Sequence, residues 1–218
     1  MALLLDSAAI DDACRSAALG YVAGITTNPA LMARTGRPPG GVLAELADVH
    51  PGTVFYQPVS ATVAEREAEA RRLAAVRPGR IGLKLPSTPD DFALAARLSA
   101  DGFVVAMTAV FDPAQAYLAC QAGARYVLPY VNRATRLLGD GPALVRGLRA
   151  VVEACGTGTE VLAASIKRPD EAVATVLAGA HSLTLPLDVI LALGRHPRSD
   201  DAVAEFAEAV RGTPAAAP

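Results

Sequence analysis

Short apolar runs alternate with longer amphipathic stretches along the whole chain, and this alternation predicts the architecture. The short runs are ALLLDS (2–7), VAGITTN (22–28), TVFYQPVS (53–60), IGLKLPS (81–87), VVAMTAV (104–110), YVLPYV (126–131), EVLAAS (160–165) and SLTLP (182–186). They have the length and the β-branched or aromatic content of strands. The longer stretches include 61–76, 90–102, 112–124, 141–156 and 168–180, where charges gather on one helical face and Ala, Leu and Val on the other. Several open on Asp or Pro and close on Gly, which is start and stop chemistry for a helix. Eight strand–helix units in about 200 residues imply a parallel sheet with helical crossovers. Closing that sheet into a (β/α)8 TIM barrel leaves no edge exposed. An open doubly wound α/β sheet is the alternative, but no GxGxxG turn follows any strand to support nucleotide binding in one. The expected organisation is one barrel domain over 1–212, with an additional C-terminal helix from about 200 and a disordered tail at 213–218.

Composition narrows the function classes. The 218 residues are 52% hydrophobic, enough for one sizeable core. A net charge of -2 and a pI near 5.9 leave no basic footprint for nucleic acid. The N-terminus lacks a basic region, and Asp6 interrupts its apolar run, so no secretory signal is expected. The apolar stretch 173–194 is broken by His181, Pro186 and Asp188, unlike a membrane span. Cys14, Cys120 and Cys155 match neither a disulfide framework nor a zinc site, and they read as buried thiols in a reducing cytoplasm. His50, His181 and His196 have no metal-ligand spacing.

Lysine usage adds candidate chemistry. The chain has two lysines, Lys84 and Lys167, against eighteen arginines. Arginine serves for routine surface charge, and only lysine readily becomes a neutral amine. In a barrel, side chains alternate between interior and helical layer, and sites form at the C-terminal strand ends. There the sequence places Asp6, Thr26, Asn28, Gln57, Lys84, Thr108, Tyr130, Asn132, Ser165 and Thr184. Burying so many polar groups is costly unless they serve each other or a ligand. With Leu83 and Leu85 facing the helices, Lys84 and Gly82 face inward. At an ordinary pKa, about one such amine in 2,500 is neutral at pH 7. Desolvation can supply the roughly 4.6 kcal/mol needed to bring its pKa near 7. The neutral amine could then attack a ketone and form a Schiff base. A buried ion pair with Asp6, or snorkelling to the rim, are the structural alternatives. Arg133 after the sixth strand, and Ser165 and Lys167 after the seventh, lie where barrels commonly hold phosphate. Arg136 and Arg168 read as solvated surface charges.

ITTNP at 25–29, IGLKLP at 81–86, TAVF at 108–111, PYVNR at 129–133, AASIK at 163–167 and TLPLDV at 184–189 together resemble the transaldolase family. They are most similar to its short branch, the fructose-6-phosphate aldolases, in order from Asp6 to about residue 212. The resemblance implies a class I aldolase with its Schiff-base lysine at Lys84 and with Asp6 and Asn28 on the reacting substrate or the amine. It further implies a catalytic water between Gln57 and Thr108, and phosphate binding by Arg133, Ser165 and Lys167. Thr26 and Asn132 are then expected to line the substrate. Gln57 and Tyr130 resemble the aldolase branch, where transaldolases carry Glu and Phe. A Tyr130 hydroxyl beside the intermediate could move a proton on the three-carbon fragment and release it as dihydroxyacetone. Leu128, in place of a small residue, and Ala106 depart from the family and alter the donor end. No cofactor and no metal are implied, and the partner is a small sugar or sugar phosphate. Val203, Phe206 and Val210 share one helical face, and the resemblance implies a homo-oligomer, pentamer or decamer. The competing readings are dihydroxyacetone transfer between sugar phosphates, a non-catalytic sugar-phosphate-binding barrel, and a pyridoxal-phosphate imine at Lys84.

Overall fold

The structure, a computed structural model, describes residues 1–211. The expected tail at 213–218 lies outside the described residues. The chain runs β1 (Ala2–Asp6), α1 (Ile10–Ala18), β2 (Val22–Thr26), α2 (Pro29–Arg34), α3 (Pro39–Val49), β3 (Thr53–Tyr56), α4 (Val63–Ala74), β4 (Ile81–Pro86), α5 (Pro89–Ala100) and β5 (Val105–Val110). It continues with α6 (Pro113–Gln121), β6 (Tyr126–Pro129), α7 (Val131–Leu138), α8 (Gly141–Cys155), β7 (Glu160–Ala163), α9 (Pro169–Leu177), β8 (Ser182–Leu185), α10 (Leu187–Leu193) and α11 (Pro197–Arg211). The strands pair in parallel and in chain order, and β8 returns to β1 to close the barrel. The (β/α)8 expectation therefore holds, including the C-terminal helix, and no helix among the described residues is long and apolar enough to cross a membrane.

Local chemistry sets the helix starts. Thr62 and Glu65 form a reciprocal capping box at α4, and Asp112 and Gln115 form another at α6. Thr88 caps α5 and Asp140 caps α8. Two short helices were not expected. Asn28 accepts a hydrogen bond from the Leu31 amide at 3.0 Å and so caps α2. Helix α7 begins directly after β6, which puts Asn132 and Arg133 in its first turn rather than on a loop. Cys14 is exposed, against the expectation of a buried thiol, because α1 turns it away from the barrel.

Strand alternation builds two cores. Leu5, Ile25, Val54, Leu83, Leu85, Met107 and Val127 point outward into the helical layer. Leu4, Phe55, Ala106, Leu128, Leu162 and Ala164 point inward and fill the barrel as a dry plug. Phe55 meets Tyr126 edge-on at 5.7 Å between centroids. Two residues further along their strands, the inward positions become Asp6, Gln57, Lys84, Thr108 and Tyr130, so the apolar plug is the floor of a polar layer. Helix α11 buries none of its described residues in this chain, and Val203, Phe206 and Val210 are 63%, 68% and 73% exposed.

Gly82 lies beneath Lys84 and gives its side-chain space to Phe55. A Cβ there would sit 2.6 Å from two ring carbons of Phe55, whose side chain is fully enclosed. Gly82→Ala is expected to destabilise the fold by about 1–3 kcal/mol through overpacking. Urea unfolding monitored by circular dichroism should show a lower midpoint at constant slope.

Candidate active site

Strand β4 carries Lys84 into the barrel with only 3% of its surface exposed. The amine donates a hydrogen bond to the Thr27 carbonyl at 2.8 Å, and it neither pairs directly with Asp6 nor reaches the rim. Burial lowers its pKa from 10.5 to about 8, and the nearby Asp6 charge opposes that shift without cancelling it. At pH 7 about one amine in ten is then neutral, a gain of more than two orders of magnitude over a solvated lysine. The Thr27 bond uses one N–H and leaves the lone pair of the neutral form free.

Asp6 is oriented from the opposite side of the barrel. Thr26 Oγ1 donates to Asp6 Oδ1 at 3.0 Å and lies 2.6 Å from Thr184 Oγ1. Each hydroxyl has one proton, so Thr26 donating to the carboxylate makes Thr184 the donor to Thr26. On β5, Thr108 Oγ1 donates to the Tyr130 hydroxyl at 3.1 Å. The Tyr130 ring is held edge-on by Phe111 at 6.0 Å, with the Arg133 guanidinium 4.9 Å from its centroid. Gln57 Oε1 is buried without a hydrogen-bond partner among the described residues. A bare buried acceptor costs about 1–3 kcal/mol, so this atom is set to receive a donor.

Sequence reasoning missed Glu69, which holds the segment carrying Gln57. From inside α4 it accepts hydrogen bonds from the Tyr56 hydroxyl at 2.6 Å, the amides of Val59 and Ser60 at 2.9 Å each, and Ser60 Oγ at 2.8 Å. Burial pushes its carboxyl pKa up, and these hydrogen bonds outweigh burial to hold it low. In the sequence it is one glutamate among several on an amphipathic helix.

A cavity of about 650 Å³ opens at the same end of the barrel. Of the expected site residues, Asp6, Asn28, Arg133 and Lys167 line it, together with Asp12, Arg15, Arg34 and Asp188, which sequence reading did not single out. Asp6 therefore belongs both to the cavity wall and to the polar layer around Lys84. Lys84, Gln57, Thr108 and Tyr130 are not part of the cavity wall. Ser165 adopts a left-handed backbone with φ 58° after β7, a conformation that costs a non-glycine residue about 1 kcal/mol or more. Asn132 turns to Glu171, which accepts its amide hydrogen bond at 2.7 Å.

A partly neutral amine enclosed in a barrel, beside a carboxylate shared with a cation-rimmed cavity, is the equipment of an aldolase-type enzyme. Sequence comparison agrees. The profile described as Transaldolase/Fructose-6-phosphate aldolase matches residues 3–216, and the chain belongs to that family. It is 36% identical over 206 residues to a probable transaldolase of Symbiobacterium thermophilum, covering 94% of this chain and 95% of that one. A probable transaldolase of Caulobacter sp. (strain K31) is 35% identical over 213 residues, covering 98% of each. Among solved structures, mandelate oxidase with (S)-2-phenylpropionate superposes with a TM-score of 0.63 at 13% identity, covering 86% of this chain and 64% of that one. The chain thus spans less than two thirds of that oxidase, and the likeness is one of barrel fold alone.

The buried amine couples stability to pH. Unfolded, Lys84 titrates near 10.5, and folded near 8, so between these values the unfolded chain binds more protons and stability rises with pH. Lys84→Met is expected to be the more stable protein at pH 7, by about 3 kcal/mol, with the gap closing as pH approaches 10.5. Urea unfolding of both proteins across this range checks it. A constant gap would mean that the amine is solvated.

Proposed function

We propose that the protein is a class I aldolase that cleaves and forms the C–C bond of a ketose phosphate in the manner of a fructose-6-phosphate aldolase. The observation that carries this reading is the Lys84 amine, buried at the strand end with its pKa brought to about 8. Its lone pair adds to the ketone carbonyl, and loss of water leaves a protonated imine. The bond between the third and fourth carbons then breaks, its electron pair passing to the imine nitrogen as an enamine. The proton of the fourth-carbon hydroxyl passes to Asp6, and the aldose phosphate departs as an aldehyde. Protonation of the enamine and hydrolysis of the imine release dihydroxyacetone and restore the amine. Gln57 and Thr108 hold the water that shuttles protons, a role supported by the unpartnered Gln57 Oε1. Tyr130 carries a proton for the three-carbon fragment, and its hydrogen bond from Thr108 supports this placement. Thr26 steadies Asp6, while Asn28 and Asn132 border the substrate path.

A phosphorylated substrate is supported by unpaired cations. Among the described residues, Arg15, Arg34, Arg133 and Lys167 form no ion pair, whereas most other arginines hold a carboxylate. Arg133, Ser165 and Lys167 take the phosphate in this reading. Leu128 is fully enclosed beside Thr108 and Ala106, and it narrows the donor end. The exposed apolar face of α11 supports a homo-oligomer.

Borohydride added with dihydroxyacetone is expected to trap a covalent adduct on Lys84, located by peptide mapping, and Lys84→Arg is expected to give none. Adduct on Lys167, or on no lysine, would overturn the mechanism.

The second reading, transfer of dihydroxyacetone between sugar phosphates, is favoured by the naming of the relatives as probable transaldolases. Fructose 6-phosphate supplied without an aldose acceptor separates the two, since only the aldolase releases free dihydroxyacetone. Tyr130→Phe is expected to lower that release by about 10²-fold or more while sparing transfer to an added acceptor. Equal loss of both activities would remove Tyr130 from the proton step.

A further inference from the structure

We propose that Glu171 is the positioning residue of the phosphate site, and this inference rests on the phosphate-binding reading above. Glu171 stands in the first turn of α9 with its side chain 17% exposed, and it does not line the cavity. Its two carboxylate oxygens are divided between the first turn of α7 and the segment before α9. Oε1 accepts from Asn132 Nδ2 at 2.7 Å, and Asn132 is the residue before Arg133. Oε2 accepts from the backbone amide of Lys167 at 2.8 Å, two residues after Ser165. One carboxylate therefore clamps the start of α7 to the segment between β7 and α9, and these are the elements that carry the proposed phosphate ligands. The Asn132 amide also donates to the Ser165 carbonyl at 2.9 Å, so the clamp adds side-chain bonds to a main-chain seam. The strained backbone of Ser165 lies inside this clamped segment, and strain of that kind persists only where its surroundings over-determine the conformation.

Charge and position make opposite predictions here. A carboxylate near an anion site repels the anion, so if Glu171 acted through its charge alone, its removal would tighten phosphate binding. If it acts by position, its removal lets Arg133 drift from Ser165 and Lys167, and binding weakens. Arg168, at 4.0 Å from Glu171, does not alter this argument, because its guanidinium is engaged by Asp170 at 2.8 Å.

The test uses the full chain as wild type, Glu171→Ala, Glu171→Gln and Arg133→Ala. Three quantities are measured: affinity for inorganic phosphate by calorimetry, KM and kcat for fructose 6-phosphate, and borohydride trapping of unphosphorylated dihydroxyacetone. In Glu171→Ala, phosphate affinity should fall and KM should rise by about tenfold or more, as for losing hydrogen bonds to a charged group. Glu171→Gln keeps an acceptor for one partner but turns an amide donor toward the other, so its loss should be intermediate. Trapping of dihydroxyacetone should change less than twofold in both. Unchanged or tighter phosphate binding in the Glu171 variants, beside a clear loss in Arg133→Ala, would overturn the clamp alone. An equal loss for phosphorylated and unphosphorylated substrates would reduce Glu171 to a general structural role and also overturn it. Unchanged phosphate affinity in Arg133→Ala would overturn the phosphate site itself, and the clamp's function with it.

Discussion

Enclosing a lysine amine in a closed barrel imposes the constraint to which the rest of the site answers. Lys84 lies above the apolar plug of Leu4, Phe55, Ala106, Leu128 and Leu162 and is almost fully buried, so the charged form loses its hydration and the neutral form gains. Had Asp6 approached within ion-pair distance, its charge would have favoured the ammonium more strongly. The structure instead gives the amine a neutral carbonyl partner, Thr27, and ties the carboxylate to Thr26. The pKa of about 8 reflects that separation. It leaves a neutral fraction of about one in ten at pH 7, while Asp6 still lines the cavity.

The same economy divides the barrel along its axis. Toward the N-terminal strand ends the interior is a packed core whose fit depends on Gly82 yielding space to Phe55. Two residues further on the inward positions Asp6, Gln57, Lys84, Thr108 and Tyr130 are polar, and several are held by neighbours from other parts of the barrel. Thr184 and Thr26 orient Asp6, and Thr108 meets Tyr130. Outside this layer, carboxylates on helices hold the connecting segments. Glu69 gathers the segment after β3, and Glu171 joins the start of α7 to the segment after β7. Neither lines the cavity, and both tie a helix to a neighbouring segment.

Much of this was legible in the sequence because a strand's period is two. Leu83 and Leu85 on either side of Lys84 decide its direction, and the structure puts both in the outer core. The same parity correctly placed Asp6, Thr26 and Thr108 inside. Helix α2 and the immediate start of α7 were not legible, because six or eight residues carry too little periodicity to stand out from a loop. Arg15 and Arg34 were passed over because an arginine without an ion pair looks the same in sequence as one with a partner. The place of Asn132 after the sixth strand suggests a substrate-facing residue, and nothing in that spacing signals that its side-chain amide donates to Glu171.

The sequence by itself determined the alternation of elements, the closed barrel, the inward phase of Lys84 and the membership of the transaldolase/fructose-6-phosphate aldolase family. These depend on periodicity and on ordered motifs, and both are local properties of the chain. Only the tertiary structure decided that Lys84 bonds to Thr27 rather than to Asp6, that Gln57 Oε1 is left bare among the described residues, that Glu69 gathers Tyr56, Val59 and Ser60, and that Glu171 meets Asn132. Those outcomes are set by which groups meet across the barrel and how little water reaches them, and no spacing along the chain encodes that distance or that dryness.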